Sequence, residues 1–200
     1  MSIEAANRHA AKLRDSLAIL ILLSLSACFS TREPAQPGAA SDFAPPLQPE
    51  ILLSNLTAAV TRLNVANYER CFVPSGYVFV PDPGVARNNV GLFSQWALQP
   101  SELDVIRNLN RVKDGTTRNS LAFANARTNN ITPDSVEYTA DYRLQIYHTD
   151  TTFREYLFTG NLVFSLSRNA ENEWRIARWR DAKTSPAPCW TELKERFAAR

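Results

Sequence analysis

The chain is poor in the residue types that most often carry chemistry: two histidines, three cysteines and six glycines occur in 200 residues. No HxxxH, HExxH or CxxC spacing is present, which argues against a dedicated transition-metal site. No GxGxxG or phosphate loop occurs either, so no cofactor is expected. Charge of one sign is also lacking. The formal net charge is +2, and the balance supplies no electrostatic funnel for nucleic acid. Glycine is outnumbered by twelve prolines, many of which fall outside the candidate core. What is abundant is apolar surface. A hydrophobic fraction of 44% against 21% charged residues is enough to build the core of one ordinary domain.

The apolar residues first gather in Leu17 to Leu25 (LAILILLSL), behind Arg8, Lys12 and Arg14 and with Asp15 between. Ser26 and Ala27 follow as small residues, so residues 1–27 have the three parts of a secretory signal peptide. A run of about 10 residues is too short to cross a hydrocarbon core, which needs roughly 20. Leu25-Ser26-Ala27-Cys28 resembles the lipobox of bacterial lipoproteins. That resemblance implies a diacylglycerol on the Cys28 thiol and cleavage before it. Two or three acyl chains, palmitate among them, anchor a protein stably, so the membrane becomes its first partner. Phe29 stands where an aspartate would suggest inner-membrane retention, which implies the cell envelope and, where there are two membranes, the periplasmic face of the outer one.

Residues 28–49 are rich in Pro, Ala, Ser and Gln, and Pro34, Pro37, Pro45, Pro46 and Pro49 forbid a continuous helix. They are expected to form a disordered or semi-extended linker. From residue 50 to 200 periodic patterns begin. Ile51, Leu52, Leu56, Ala59, Val60 and Leu63 recur at helical spacing, and Leu103, Ile106 and Leu109 do so again after Pro100. Tyr77 to Val80 is a short strand ended by Pro81-Asp82-Pro83-Gly84. Strands are then expected over 118–127, 135–148, 153–167 and 174–181. Ser135 to His148 sets Val136, Tyr138, Ala140, Tyr142, Leu144 and Ile146 on one face and Glu137 and Asp141 on the other. Helices first and an antiparallel meander afterwards make an α+β pattern.

This order, closed by Trp174-x-Ile176-x-x-Trp179-x-Asp181, resembles the nuclear transport factor 2-like superfamily, with its SnoaL-like and ketosteroid-isomerase-like members. Cys189-Trp190-Thr191-Glu192-Leu193-Lys194 is similar to the closing segment of lipid-anchored bacterial members. The resemblance implies a cone-shaped, strongly bent antiparallel sheet packed on N-terminal helices, often with a cavity at its open end, and often a homodimer.

Catalysis in such a cone needs a buried base beside a hydrogen-bond donor. Tyr138, Tyr142 and Tyr156 share the apolar face, yet no carboxylate alternates with them, so no catalytic residue is assigned. His148 sits in the polar turn HTDTT and reads as a solvated loop residue. Cys71 and Cys189 remain after lipidation of Cys28, and an oxidising compartment would allow a disulfide between them. The expectation is a non-catalytic domain that binds a small apolar ligand or an envelope protein, with Phe79, Trp96, Tyr142, Tyr156 and Trp179 lining a pocket. A scaffold that dimerises through its sheet would instead show a filled cone and an exposed apolar patch. An isomerase or hydrolase would place Asp181 or Asp141 inside, beside a tyrosine.

Overall fold

The computed structural model describes residues 42–198. The signal segment, Cys28 and most of the linker lie outside the described residues. Among those described, no helix is long and apolar enough to cross a membrane.

Helix α1 spans Pro49–Arg62 and opens on Pro49, whose fixed φ suits a first helical turn. Its Leu52, Leu53, Leu56, Ala59 and Val60 form the buried stripe. The helix stops at Leu63, which takes a left-handed φ of 52° while its N–H bonds back to the carbonyl of Val60. Asn64 then caps α2 (Val65–Glu69) by accepting from the Asn67 N–H at 3.1 Å. Short elements follow: strand β1 (Val78–Val80), α3 (Pro83–Ala86) and α4 (Val90–Phe93). A kinked segment, Leu98–Glu102, with Gln99 in an extended conformation, leads into α5 (Leu103–Arg111).

Four longer strands complete the chain before the last helix: β2 (Ser120–Thr132), β3 (Ser135–Gln145), β4 (Leu157–Arg168) and β5 (Trp174–Ala182). Helix α6 covers Trp190–Ala198. The sheet order is β1-β5-β4-β3-β2, antiparallel throughout except that β1 runs parallel to β5. The sheet is thus the expected curved, unclosed one. Strict alternation holds along β3 and β4, so Tyr138, Tyr142, Phe158, Leu162 and Phe164 all face the helices. Bulges preserve this inner face where alternation would lose it. Asn125, with φ 52°, sits between Ala124 and Arg127, so β2 presents Leu121 and Phe123 before it and Thr128 and Asn130 after it. A second register shift lets β5 bury Trp174 and Ile176, then Trp179 and Asp181. Gly160 lies opposite Tyr142, where a Cβ would meet the Ala182 carbonyl oxygen at 2.6 Å and the Tyr142 hydroxyl at 2.7 Å.

The ordered domain begins before residue 50, a correction to the linker boundary. Phe43 is buried under the Arg70 guanidinium, 3.9 Å from its ring centroid. The Asn55 side chain exchanges two hydrogen bonds with the backbone of Ala44, and the Trp174 N–H donates to the Pro46 carbonyl at 2.8 Å. Prolines prevent helix here, but they leave carbonyls free to accept, and one large aromatic ring is enough to hold the segment down.

Candidate functional site

Among the described residues, the inner face of the sheet and the helices leave no accessible surface around Glu102 and Lys194. They close on a buried cluster of charged and polar groups contributed by five elements. Glu102 arrives at the end of the kinked segment before α5 and Lys194 from the second turn of α6; both side chains have no accessible area. Lys194 follows Trp190 by four residues and precedes Phe197 by three, so it falls on the apolar face of its helix. Its Nζ donates to Glu102 Oε2 at 2.9 Å. Three neutral donors complete the carboxylate: the Tyr68 hydroxyl on Oε1 at 2.6 Å, and the Tyr77 hydroxyl at 3.0 Å and Trp96 Nε1 at 2.8 Å on Oε2.

The ammonium also rests on aromatic faces. Nζ lies 3.5 Å from the ring centroid of Phe79 and 3.4 Å from that of Trp179, with Trp96 at 5.8 Å. Three of the five expected pocket residues therefore do converge, but on a side chain of the same protein. Burial pushes the Lys194 amine down to about 8, against the upward pull of the Glu102 charge. Burial, reinforced by that same charge, holds the Tyr68 and Tyr77 phenols well above their ordinary value.

A second buried carboxylate stands beside the first. Asp181 accepts from the Tyr142 hydroxyl at 2.8 Å on one oxygen, and from the N–H and hydroxyl of Thr191 at 2.7 and 2.6 Å on the other. It thereby satisfies the first turn of α6. Tyr142 in turn accepts from the Trp190 N–H at 2.6 Å, and the Thr191 hydroxyl accepts from the Asp82 N–H at 3.0 Å. Burial raises the Asp181 carboxyl and the Tyr142 phenol above their ordinary values. Asp141 stays on the opposite sheet face, held by Asn125 and Asn161.

An interior carboxylate beside a tyrosine is the arrangement expected of an enzyme in this cone, but a substrate has no place against it. Glu102, Lys194, Thr191 and Trp179 have zero accessible area and Asp181 has 1%. A group with no accessible area has no water-sized space against it, from inside or outside. Trp179, Trp190, Phe158 and Phe164 fill the room that a ligand would need. The site as built orients α6 and satisfies its own charges.

The other expected residues fare differently. Tyr142 is buried in the second cluster, edge-on to Trp190. Tyr156 is 39% exposed because β4 begins one residue later; it stacks on Tyr147 instead of entering the core. His148 corrects the solvated reading: it is 3% exposed, covered by Phe153, Tyr156 and Phe197. Cys71 and Cys189 are free and buried, which corrects the disulfide. The Cys71 carbonyl bonds to Ile176, paired with Leu166, whereas Pro188 bonds to Thr159 on the same strand β4. Seven residues of strand separate these anchor points, about 23 Å at roughly 3.3 Å per residue. A disulfide needs Cα atoms within about 7 Å.

Shallow depressions occur at the surface of the described residues. One of 590 Å³ is bordered by Phe153, Lys183, Pro186, Glu192 and Glu195. Another, of 680 Å³, lies between Leu47, Thr128, Val136, Arg168 and Trp174. Among the described residues, the large exposed apolar side chains are Leu47, Val78, Val90, Ile131 and Tyr156.

No protein-family profile matches the chain, and no curated protein resembles it in sequence. Solved structures share its architecture. An aromatic ring hydroxylase candidate from Novosphingobium aromaticivorans is 12% identical, covers 72% of this chain and 92% of its own, and superposes with a TM-score of 0.52. A scytalone dehydratase candidate from the same species is 9% identical over 70% of this chain and 89% of its own, with a TM-score of 0.51. At such identities the likeness is one of fold. The domain has the nuclear transport factor 2-like α+β fold.

Proposed function

We propose that this chain is a non-catalytic, lipid-anchored envelope domain that recognises its partner from the outside of a filled cone. The observation that carries the reading is Lys194. An enzyme or a carrier of apolar ligands keeps its aromatic chamber open, whereas here Phe79, Trp96 and Trp179 surround the protein's own ammonium. Both oxygens of each interior carboxylate are already engaged by internal donors. The Cys28 lipobox supplies the address, and an envelope component is the class of partner within its reach.

Intact and native mass spectrometry of the membrane-extracted chain tests both halves. The reading expects residues 28–200 with acyl groups on Cys28, loss of those groups in Cys28→Ser, and no small molecule retained under native conditions. A stoichiometric apolar ligand that survives native ionisation would overturn the filled-cone half. An unacylated wild-type chain would overturn the anchor.

A further inference from the structure

The outer face of the sheet carries arginines that the fold does not use. Cross-strand pairing sets Arg127 with Thr139, Thr139 with Val163 and Val163 with Arg180 in one row. The next row runs Asn129, Glu137, Ser165 and Arg178, and Arg143 pairs with Ala122 and Thr159 two rows away. The inner face of the same strands is the core, so all of these side chains point outwards. Arg127, Arg143, Arg178 and Arg180 are exposed, and none makes an ion pair among the described residues. Arg175, on the same face, is paired with Glu173. Besides Glu173, two acids share the face. Asp141 is occupied by Asn125 and Asn161, which leaves Glu137 as the single carboxylate without a bonded partner.

Stacking two copies of this face would set arginines against arginines. A second copy is therefore a poor occupant. Guanidinium groups interleaved with Ser, Thr and Asn instead match surfaces of phosphate oxygens, which accept bidentate bonds from arginine. We infer that the outer sheet face rests on the anionic phospholipid headgroups of the membrane to which the chain is tethered. This rests on the anchor reading. From Cys28 to Phe43, the first buried residue described, the chain spans about 15 residues and cannot exceed roughly 50 Å when fully extended. A domain of this size is about 40 Å across. The tether thus keeps the face within one domain diameter of the headgroups, and charge selects which side turns down.

The test uses the acylated full chain with vesicles of neutral phosphatidylcholine, or of phosphatidylcholine with one-third phosphatidylglycerol. A fluorophore at Asn129→Cys, exposed on the outer face, is read against a headgroup quencher; the two native thiols are buried and do not compete. The chain should float with both vesicles, but the label should be quenched only on the anionic ones. Quenching should vanish in 0.5 M salt and in the variant with Arg127, Arg143, Arg178 and Arg180 all changed to Gln. Each arginine near an anionic surface is worth roughly fivefold in binding, so four amount to several hundredfold. Flotation on both vesicles with an unquenched label overturns the headgroup contact, leaves the anchor standing and points to an acidic protein as the partner of this face. Flotation on anionic vesicles alone, lost in the arginine variant, supports the contact and removes the anchor. Flotation on neither overturns both.

Discussion

Replacing Lys194 with Met isolates the charge on which the interior is organised. Methionine keeps the length and apolar stem that lie between Phe79 and Trp179, so little cavity is created. What disappears is the ammonium, with its 2.9 Å bond to Glu102 and its contact with two ring faces. Glu102 retains three neutral donors from Tyr68, Tyr77 and Trp96 but loses its bonded counter-charge at zero accessible area. Removing one partner of a buried pair costs about 3–5 kcal/mol, and the remaining donors argue for the lower end. With a urea slope of about 2 kcal/mol/M, a loss of about 3 kcal/mol moves the midpoint down by about 1.5 M. Tryptophan fluorescence is a direct readout, because Trp96 and Trp179 flank the site. Adding Glu102→Gln to Lys194→Met should restore part of the loss, with a coupling of at least about 1 kcal/mol. A single variant that unfolds within about 0.5 M of wild type, or a pair whose effects simply add, would refute the view that these two charges hold each other in place.

Further outcomes follow from the same contacts. Tyr142→Phe strands one oxygen of Asp181 and the Trp190 N–H and should cost about 3 kcal/mol by denaturant titration, whereas Tyr138→Phe should stay within about 0.5 kcal/mol. Gly160→Ala forces a Cβ against the Ala182 carbonyl oxygen and should cost about 3 kcal/mol; a neutral result would mean that β4 and β5 are farther apart than described. Stability should peak near pH 8–9. The Lys194 amine is held at about 8 in the folded chain and returns to its higher ordinary value on unfolding, so its contribution rises with pH across that interval. Cys71, raised to about 12, and Tyr68, Tyr77 and Tyr142, all raised, keep their protons when folded and lose them more readily when unfolded. Their contributions therefore fall as pH climbs past the unfolded values. Absorbance at 295 nm should show Tyr68, Tyr77 and Tyr142 ionising together with unfolding. A thiol reagent should label neither Cys71 nor Cys189 until denaturant is added, and rapid labelling of the native chain would contradict their burial.

The alternation of β3 and β4 made the sheet readable, because a half-buried strand writes its two faces into every second residue. Phe79, Trp96 and Trp179 were grouped in one interior region by the family resemblance, since Trp96 lies in a loop that no strand periodicity covers. The chemistry inside that region was legible too, but in a less obvious form. Asp181 stands two residues after Trp179 on the same strand face, and Lys194 lies at helical spacing from Trp190 and Phe197. Charge type argued for the surface while phase argued for the core, and phase prevailed because each charge finds saturating partners on other elements. Those partners, Tyr68, Tyr77 and Trp96 for Glu102, are remote in sequence, so no local spacing reveals them. Tyr156 and His148 were misplaced by the opposite effect. The strand begins at Leu157, which releases Tyr156, and the returning C-terminal helix brings Phe197 over a histidine that its own polar turn had marked as solvated.

The filled cone is tested most directly by the side-chain NMR of Lys194, with assignment by the Lys194→Met variant. The chain has four lysines, and the account requires one of them to differ from an ordinary surface amine: side-chain protons shifted upfield by the rings of Phe79 and Trp179, a slowly exchanging ammonium, and titration near 8. A Lys194 signal with random-coil shifts that titrates near the ordinary value of about 10.4 would put the amine in water, open the aromatic chamber and contradict the account.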